Sequence, residues 1–319
     1  MRAAPHRTQD DADRNRPYRK ERAMHPALPK LLSLLVLLPA AAASASPPAT
    51  GADACGLAHQ PIADALVQVP FESIDGRIYV QARVNGQGPY RFAVDTGASG
   101  IGRADMRLVT ALDLPRHGET TTSDGVTKAG VDTVRLDALE LGDAVHRNVE
   151  VIARDYNARN APEAAFDGIL ARDFFADGLL RIDYPNKTLA FTRALKLDPA
   201  AANALAYTRA FRIPVSVGTH TFVAQLDTGA NVGFVLPQSA YEQVSEQPLG
   251  EAVLSQLTNG QLESWRGTVQ QPIRVGQVSQ AQAEVRVSPK YPEVLVGARA
   301  LQNAVVLIDQ RSQVVAVCR

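Results

Sequence analysis

The chain has 319 residues, with 33 Lys and Arg against 33 Asp and Glu, and so carries no formal net charge at pH 7. That balance excludes a basic field for nucleic acid and an acidic docking tail, while 45% hydrophobic residues is ordinary for a globular protein with a core. Two cysteines with no Cys-x-x-Cys exclude a zinc ribbon and a thioredoxin-type site, and the length suits two small domains or one bilobed unit.

In chain order, residues 1–23 are a polar, basic extension ahead of a start expected at Met24. His25 and Lys30 precede the apolar run Leu31–Leu38, and Ala43-Ser44-Ala45 follows before Ser46-Pro47-Pro48. This is the pattern of a secretory signal peptide cleaved near Ala45. The run is short for a spanning helix, although an uncleaved anchor is the alternative. The expected address is periplasmic or secreted, with no stable membrane association once the signal is removed. Residues 46–64 read as a linker rich in Ala, Pro and Gly. The mature chain keeps Cys55 and Cys318, one near each end. In an oxidising compartment such a pair forms a disulfide; the other reading is two unpaired thiols.

Strand patterning begins at Val67. Arg77–Val84 partly alternates, Asn85-Gly86 signals a hairpin, and Tyr90–Val94 returns as a strand into Asp95-Thr96-Gly97-Ala98. A polar hairpin is expected over residues 117–131 with its tip at Ser123-Asp124-Gly125. Beyond it come Phe166-Asp167-Gly168-Ile169-Leu170-Ala171 and Leu180-Arg181-Ile182-Asp183. Asp198-Pro199 and the alanine-rich residues after it predict a short helix start within residues 197–207. A second hairpin then runs from Phe211 through Gly218-Thr219-His220 into Asp227-Thr228-Gly229-Ala230. A second polar hairpin is expected over 254–269 with its tip at Asn259-Gly260, followed by Leu295-Val296-Gly297 and Ile308-Asp309. Brief helices are expected near 104–112, 171–176, 237–244 and 298–303.

The order of elements is therefore the same twice. The two Asp-Thr-Gly motifs are 132 residues apart and the two Ile-Asp pairs 126 apart. The six-residue difference is one a loop absorbs easily. One Asp-Thr-Gly means little. Two, each behind an apolar strand and one in each half, point to a duplicated lobe that contributes one carboxylate to a shared site. Such a pair cannot easily ionise twice, so one member holds a proton while the other stays charged. The pair can then activate a water and protonate a leaving group.

On these motifs the chain resembles the retropepsin-like and pepsin-like aspartic peptidases, in particular bacterial proteins with two retropepsin-like lobes in one chain. The resemblance covers about residues 65 to 319. Ile169-Leu170-Ala171 and Leu295-Val296-Gly297 correspond to the family's hydrophobic-hydrophobic-Gly element, with Ala171 in place of the first Gly. No Tyr lies between Tyr90 and Tyr156, so the pepsin-type flap tyrosine has no counterpart. The resemblance implies a mainly β, bilobed acid-protease fold, with two retropepsin-like β-barrel lobes related by pseudo-two-fold symmetry. The lobes would span 65–197 and 211–319, joined by 198–210. It makes Asp95 and Asp227 the catalytic pair. Thr96 and Thr228 would bond reciprocally across the lobes, with Gly97 and Gly229 supporting the loops. Ser123, Asp124, Gly125, Asn259 and Gly260 are the substrate-binding flap candidates; the plain alternative is two surface hairpins.

The expected activity is peptide hydrolysis by a monomer acting on a peptide or protein, with no cofactor, no metal and no nucleic-acid partner. The alternatives are a non-catalytic peptide-binding protein that keeps the cleft, and a dimer whose lobes pair between chains. Ala98 and Ala230 stand where pepsin-like members place a hydroxyl, which implies a pair that keeps its proton to higher pH. Trp265 lines the cleft or packs in the body of the lobe, and His117, His146 and His220 are read as surface residues. Asn186-Lys187-Thr188 reads as a sequon or as a plain hairpin turn.

Overall fold

Local alternation dictates the first hairpin. In Arg77–Val84, Ile78, Val80, Ala82 and Val84 go into the main core, while Gln81 and Arg83 face outward. Tyr79 points to the opposite face, where a small apolar cluster with Ala93, Phe166 and Ile169 receives it. Asn85 and Gly86 both take positive φ, 51° and 73°. That is what a two-residue turn matched to strand twist requires, and Asn and Gly are the residues that tolerate it. The chain returns as Gln87–Asp95, with Tyr79 opposite Ala93 and Gln81 opposite Arg91.

The computed structural model describes residues 52–319. The extension and signal peptide expected at 1–45, with residues 46–51 of the expected linker, lie outside the described residues. The described chain is mainly β. An eight-stranded sheet holds the strands from Glu72 to Ala171 and a nine-stranded sheet those from Arg212 to Gly297. Their central registers repeat. Gln87–Asp95 runs parallel to Gly168–Ala171 with Asp95 beside Ala171, and Gly102–Asp105 runs antiparallel to that strand with Gly102 opposite Leu170. In the second sheet, His220–Asp227 runs parallel to Val294–Gly297 with Asp227 beside Gly297, and Phe234 lies opposite Val296.

A six-stranded antiparallel sheet joins the two halves. Its order is Ala65–Pro70, Thr188–Thr192, Leu179–Asp183, Val305–Asp309, Val314–Cys318 and Leu205–Ala206. The two Ile-Asp strands meet at its centre, where Leu180 faces Ile308 and Ile182 faces Val306. The paired Asp residues have a structural cause. Asp183 accepts the backbone N–H of Asn186 at 2.9 Å and its side-chain amide at 2.9 Å, closing the hairpin at 184–187. Asn186 is thus part of a turn. Asp309, fully buried, accepts the N–H groups of Leu197 and Arg311 and the Arg311 guanidinium.

The helices are shorter than the sequence pattern indicates. Met106–Ala111 and Gln238–Val244 are α-helical, and Arg172–Phe175 and Ala298–Leu301 are single 3-10 turns. Asp105 caps the first by accepting the Arg107 N–H at 2.9 Å. The helix start expected within 197–207 does not form. Those residues make turns and the short strand Leu205–Ala206, because pairing to Val314 and Val315 satisfies the backbone there. Trp265 is half-buried and lies opposite the core residue Val287, on the face away from Arg286. His117 is exposed. His146 and His220 are half-buried, the former bonded to the Phe174 carbonyl at 2.9 Å, so only one of the three is a plain surface residue.

Within the expected linker, Ala54–Leu57 forms a 3-10 turn capped by Asp53. Its Ala54 and Cys55 pack with Leu179, Leu307 and Ala316 against the six-stranded sheet. Residues 52–58 are therefore docked rather than a free tether. Cys55 and Cys318 form a disulfide with a Cα–Cα distance of 5.5 Å and a sequence separation of 263. Closing so long a loop stabilises the folded chain by about 5 kcal/mol in the chain-entropy model, an upper figure in practice. Replacing both cysteines by serine is expected to lower the midpoint of chemical unfolding and to remove the shift that reductant produces in the native protein; denaturant titration with and without reductant measures both.

Candidate active site

Each Asp-Thr-Gly lies at the end of a central strand, so its side chains emerge where the strand becomes a loop. Thr96 and Thr228 are almost wholly buried, at 2% and 0% exposure. Their hydroxyls have nowhere to find water and bond each other's loops instead. The Thr96 N–H donates to Oγ1 of Thr228 at 3.1 Å, and the Thr228 N–H donates to Oγ1 of Thr96 at 3.0 Å. Each hydroxyl then donates onward: Thr96 to the Leu226 carbonyl at 3.2 Å, Thr228 to the Val94 carbonyl at 2.8 Å. Four bonds thus cross between the halves in a reciprocal pattern.

The carboxyl groups are held in the same reciprocal way. Oδ1 of Asp95 accepts the N–H groups of Gly97 and Ala98 at 2.8 and 3.0 Å, and Oδ1 of Asp227 accepts those of Gly229 and Ala230 at 2.8 and 3.2 Å. The glycines are needed for close approach. A Cβ on Gly97 would lie 2.5 Å from Cγ of Asp227, and one on Gly229 would lie 2.5 Å from Oδ2 of Asp95. Each carboxyl therefore packs on the other loop's glycine, which brings the two close enough for Asp95 to act on the protonation of Asp227.

This proximity sets the protonation. The Asp227 carboxyl is held well above its ordinary value of 3.8, first by burial and then by the charge and hydrogen bond of Asp95; the two backbone N–H donors oppose the rise. Two nearby tyrosines report the same field. Burial raises Tyr156 to about 12, with Asp95 adding to the rise. Tyr291 is pushed up by burial, then by Asp227 and Glu293, with a smaller contribution from Asp124. Tyr291 packs with Leu262 and Leu295 beside Ala230 and Val232, and Tyr156 packs against Tyr79, Phe166 and Ile169 beside Ala98. Sequence reasoning missed both tyrosines. Their signal was weak, because the stretch from Tyr156 to Gly168 is nine residues longer than that from Tyr291 to Val294, which hides their similar placement after the strands Ala144–Arg154 and Ala283–Ser288.

The expected flap tips form on two hairpins, Arg116–Ser123 with Lys128–Leu141 and Ala252–Gln256 with Gln261–Val269. Ser123 accepts the Gly125 N–H, and Oδ1 of Asp124 accepts those of Val126 and Thr127, which shapes the first tip. The two tips touch. Oδ2 of Asp124 accepts the Asn259 N–H at 2.7 Å, the Asn259 amide donates to the carbonyls of Thr127 and Thr122 at 2.9 and 3.3 Å, and its Oδ1 accepts from Arg154 at 2.8 Å. Gly260 sits beside Thr127. Leu257 and Leu262 of the second hairpin belong to the same apolar cluster as Ala230 and Val232, so that hairpin lies against the Asp227 loop.

Among the described residues no helix is long and apolar enough to cross a membrane, and no cluster of His, Cys, Asp and Glu has the make-up of a metal site. Residues 80–174 match the family model described as aspartyl protease, a span that includes Asp95, the first hairpin and Ile169-Leu170-Ala171. That match supports the retropepsin-like aspartyl protease family and a general peptidase function for the chain. No curated protein matches it.

Two outcomes follow from this geometry. Thr96→Val removes an acceptor and a donor from a buried site and strands the Thr228 N–H and the Leu226 carbonyl. Stability is expected to fall by about 2–4 kcal/mol in urea unfolding. Because the Asp227 carboxyl is raised, the folded state holds a proton that the unfolded chain has released. The cost of ionising it therefore grows as pH rises from the ordinary carboxylate range towards the raised value, and is constant beyond it. Asp227→Asn cannot ionise. Its melting temperature is expected to match the wild type near about pH 4 and to exceed it increasingly towards about pH 8, measured by thermal scans across that range.

Proposed function

We propose that the protein is an exported aspartic endopeptidase in which Asp95 and Asp227 activate a water against a peptide carbonyl. The chain would work as a bilobed monomer, with lobes at 65–197 and 211–319 joined by 198–210 and related by pseudo-two-fold symmetry. The observation that carries this reading is the reciprocal packing of the two carboxyls, each held by its own loop's N–H groups and seated on the other loop's glycine. The repeated strand registers and the shared central sheet support the lobe assignment. The disulfide fits an oxidising compartment.

The raised Asp227 carboxyl gives the pair one proton and one charge at mildly acidic pH. The charged member accepts a proton from water as the water oxygen forms a bond to the carbonyl carbon. The protonated member donates a hydrogen bond to the carbonyl oxygen and offsets its developing charge. When the tetrahedral adduct collapses, the C–N bond breaks, a proton passes to the leaving nitrogen, and the pair again holds one proton. Both carboxyls are already fixed by backbone donors, so little reorganisation accompanies the step. The paired hairpins would part to admit an extended peptide and close on it.

Asp95→Asn and Asp227→Asn are each expected to lower kcat/KM on a fluorogenic peptide by at least about a thousandfold while the fold is kept. The double variant should be little worse than either, because the two act as one unit. Substantial turnover by either single variant counts against the mechanism. Saturable binding of a statine-containing peptide, with no cleavage of any peptide by the wild type, favours the non-catalytic binding reading.

The Ala98 and Ala230 N–H groups already approach the carboxylates at 3.0 and 3.2 Å, so a hydroxyl at either residue would lie near the charge. Ala98→Ser/Ala230→Ser stabilises the ionised form and lowers the pH at which the shared proton is lost. The alkaline limb of the kcat/KM profile is expected to move to lower pH than in the wild type.

A further inference from the structure

Building on the peptidase reading, we infer that Arg103 and Arg154 form a carboxylate-recognising wall on the Asp95 side of the cleft, so that the enzyme selects substrates with an acidic side chain close to the cleaved bond. Strand register places both on the face that bears Asp95. Ala93 and Asp95 lie beside Ile169 and Ala171, Arg103 lies opposite Ile169, and Ile152 lies beside Arg103 with Arg154 two residues further on. Side chains alternate along a strand, so all of these share one side of the sheet. Both cations also act on the Tyr156 phenol, together with Asp95. The Arg154 guanidinium is 5.8 Å from the Tyr156 ring centre, and Arg103 reaches back to the Asp95 loop beside Gly100.

Among the described residues neither guanidinium forms an ion pair. Each is half-buried, and each makes a single hydrogen bond to a neutral oxygen: Arg103 to the Gly102 carbonyl at 2.8 Å and Arg154 to the Asn259 side chain at 2.8 Å. The acids nearby are committed elsewhere. Asp105, fully buried, is bonded by the N–H groups of Arg107 and Tyr156. Glu119 and Asp132 line a 420 Å³ cavity with Arg154, and both are bonded to Arg116. A guanidinium offers five donors in a planar fork that fits a carboxylate with two parallel bonds. Half-buried cations left with one neutral acceptor apiece have that fork to spare. Parting of the hairpins breaks the Arg154–Asn259 bond, which frees the Arg154 fork as a peptide enters.

The arrangement is one-sided. In the second half the same ladder positions hold Val235 and Ser288, and Val235 packs in an apolar cluster with Leu295 and Tyr291. Arg286 takes the place of Ile152 there, opposite Arg266, whose own neighbour is Glu284 at 3.8 Å. The side beside Asp95 thus offers two cations, whereas the side beside Asp227 offers the apolar Val235 cluster and the single cation Arg286, whose own guanidinium has a buried nitrogen without a partner among the described residues.

The test compares kcat/KM for peptide pairs that differ only by Glu or Gln at each position flanking the cleaved bond. The wild type is expected to favour Glu at one position by at least about tenfold, and the ratio should shrink as salt rises. In Arg103→Met and in Arg154→Met the ratio should fall towards one, with Arg154→Lys retaining part of it. In Arg154→Glu a Lys-bearing peptide should overtake the Gln-bearing one. No position with a Glu preference in the wild type overturns the inference while leaving the peptidase reading intact; so does a Glu preference insensitive to salt and to all four variants. If no peptide is cleaved, the peptidase reading fails, and fluorescence anisotropy with the same pairs decides the wall: equal affinity for Glu and Gln peptides overturns it, and arginine-dependent Glu selectivity sustains it.

Discussion

Two carboxyl groups that repel when both are ionised are held together by four hydrogen bonds crossing between the Thr96 and Thr228 loops. These bonds lie out of reach of water, where a hydrogen bond is worth more and an unmade one costs more. Any separation of the halves would leave buried N–H and carbonyl groups unsatisfied on both sides. The raised Asp227 carboxyl is the electrostatic counterpart of that closeness. The repulsion is relieved by keeping a proton, and the four backbone N–H donors of the loops stabilise the charge that remains.

The rest of the molecule holds the two loops in register. The eight- and nine-stranded sheets present their central strands with the same neighbours, so each Asp leaves its strand at an equivalent point. The six-stranded sheet joins the halves through the Ile-Asp strands, and the docked segment around Cys55 closes the far side through the disulfide to the last strand. On the cleft side the symmetry is broken. Asn259 of one hairpin is gripped by Asp124, by the carbonyls of Thr122 and Thr127, and by Arg154; no reciprocal set runs the other way among the described residues. Two halves with matching central registers thus carry unlike walls.

The central strands, both hairpins and the repeat were legible because their residues carry local instructions. Asn85-Gly86 specifies a turn by its φ requirement, and the alternation of Ile78, Val80 and Ala82 specifies which face is buried. The helix expected after Asp198-Pro199 was misread for the opposite reason. A cap and a run of alanines favour a helix locally, but the edge of the central sheet offers the backbone at Leu205 and Ala206 a partner strand, and a short alanine run has no apolar stripe to compete with it.

By itself the sequence determined the repeated order of elements, the identity of the two aspartates and the positions of the hairpin tips, because each of these is written in a short contiguous segment. The tertiary structure alone decided that the aspartates meet, that the hairpin tips clasp through Asn259, that Tyr156 and Tyr291 flank the pair, and that Arg103 and Arg154 share the face of Asp95. Those facts depend on contacts between segments distant in the chain, up to 137 residues apart in the hairpin clasp. Such pairings follow from sheet register, and a strand's own residues specify which of its faces is buried but not which distant strand will lie beside it.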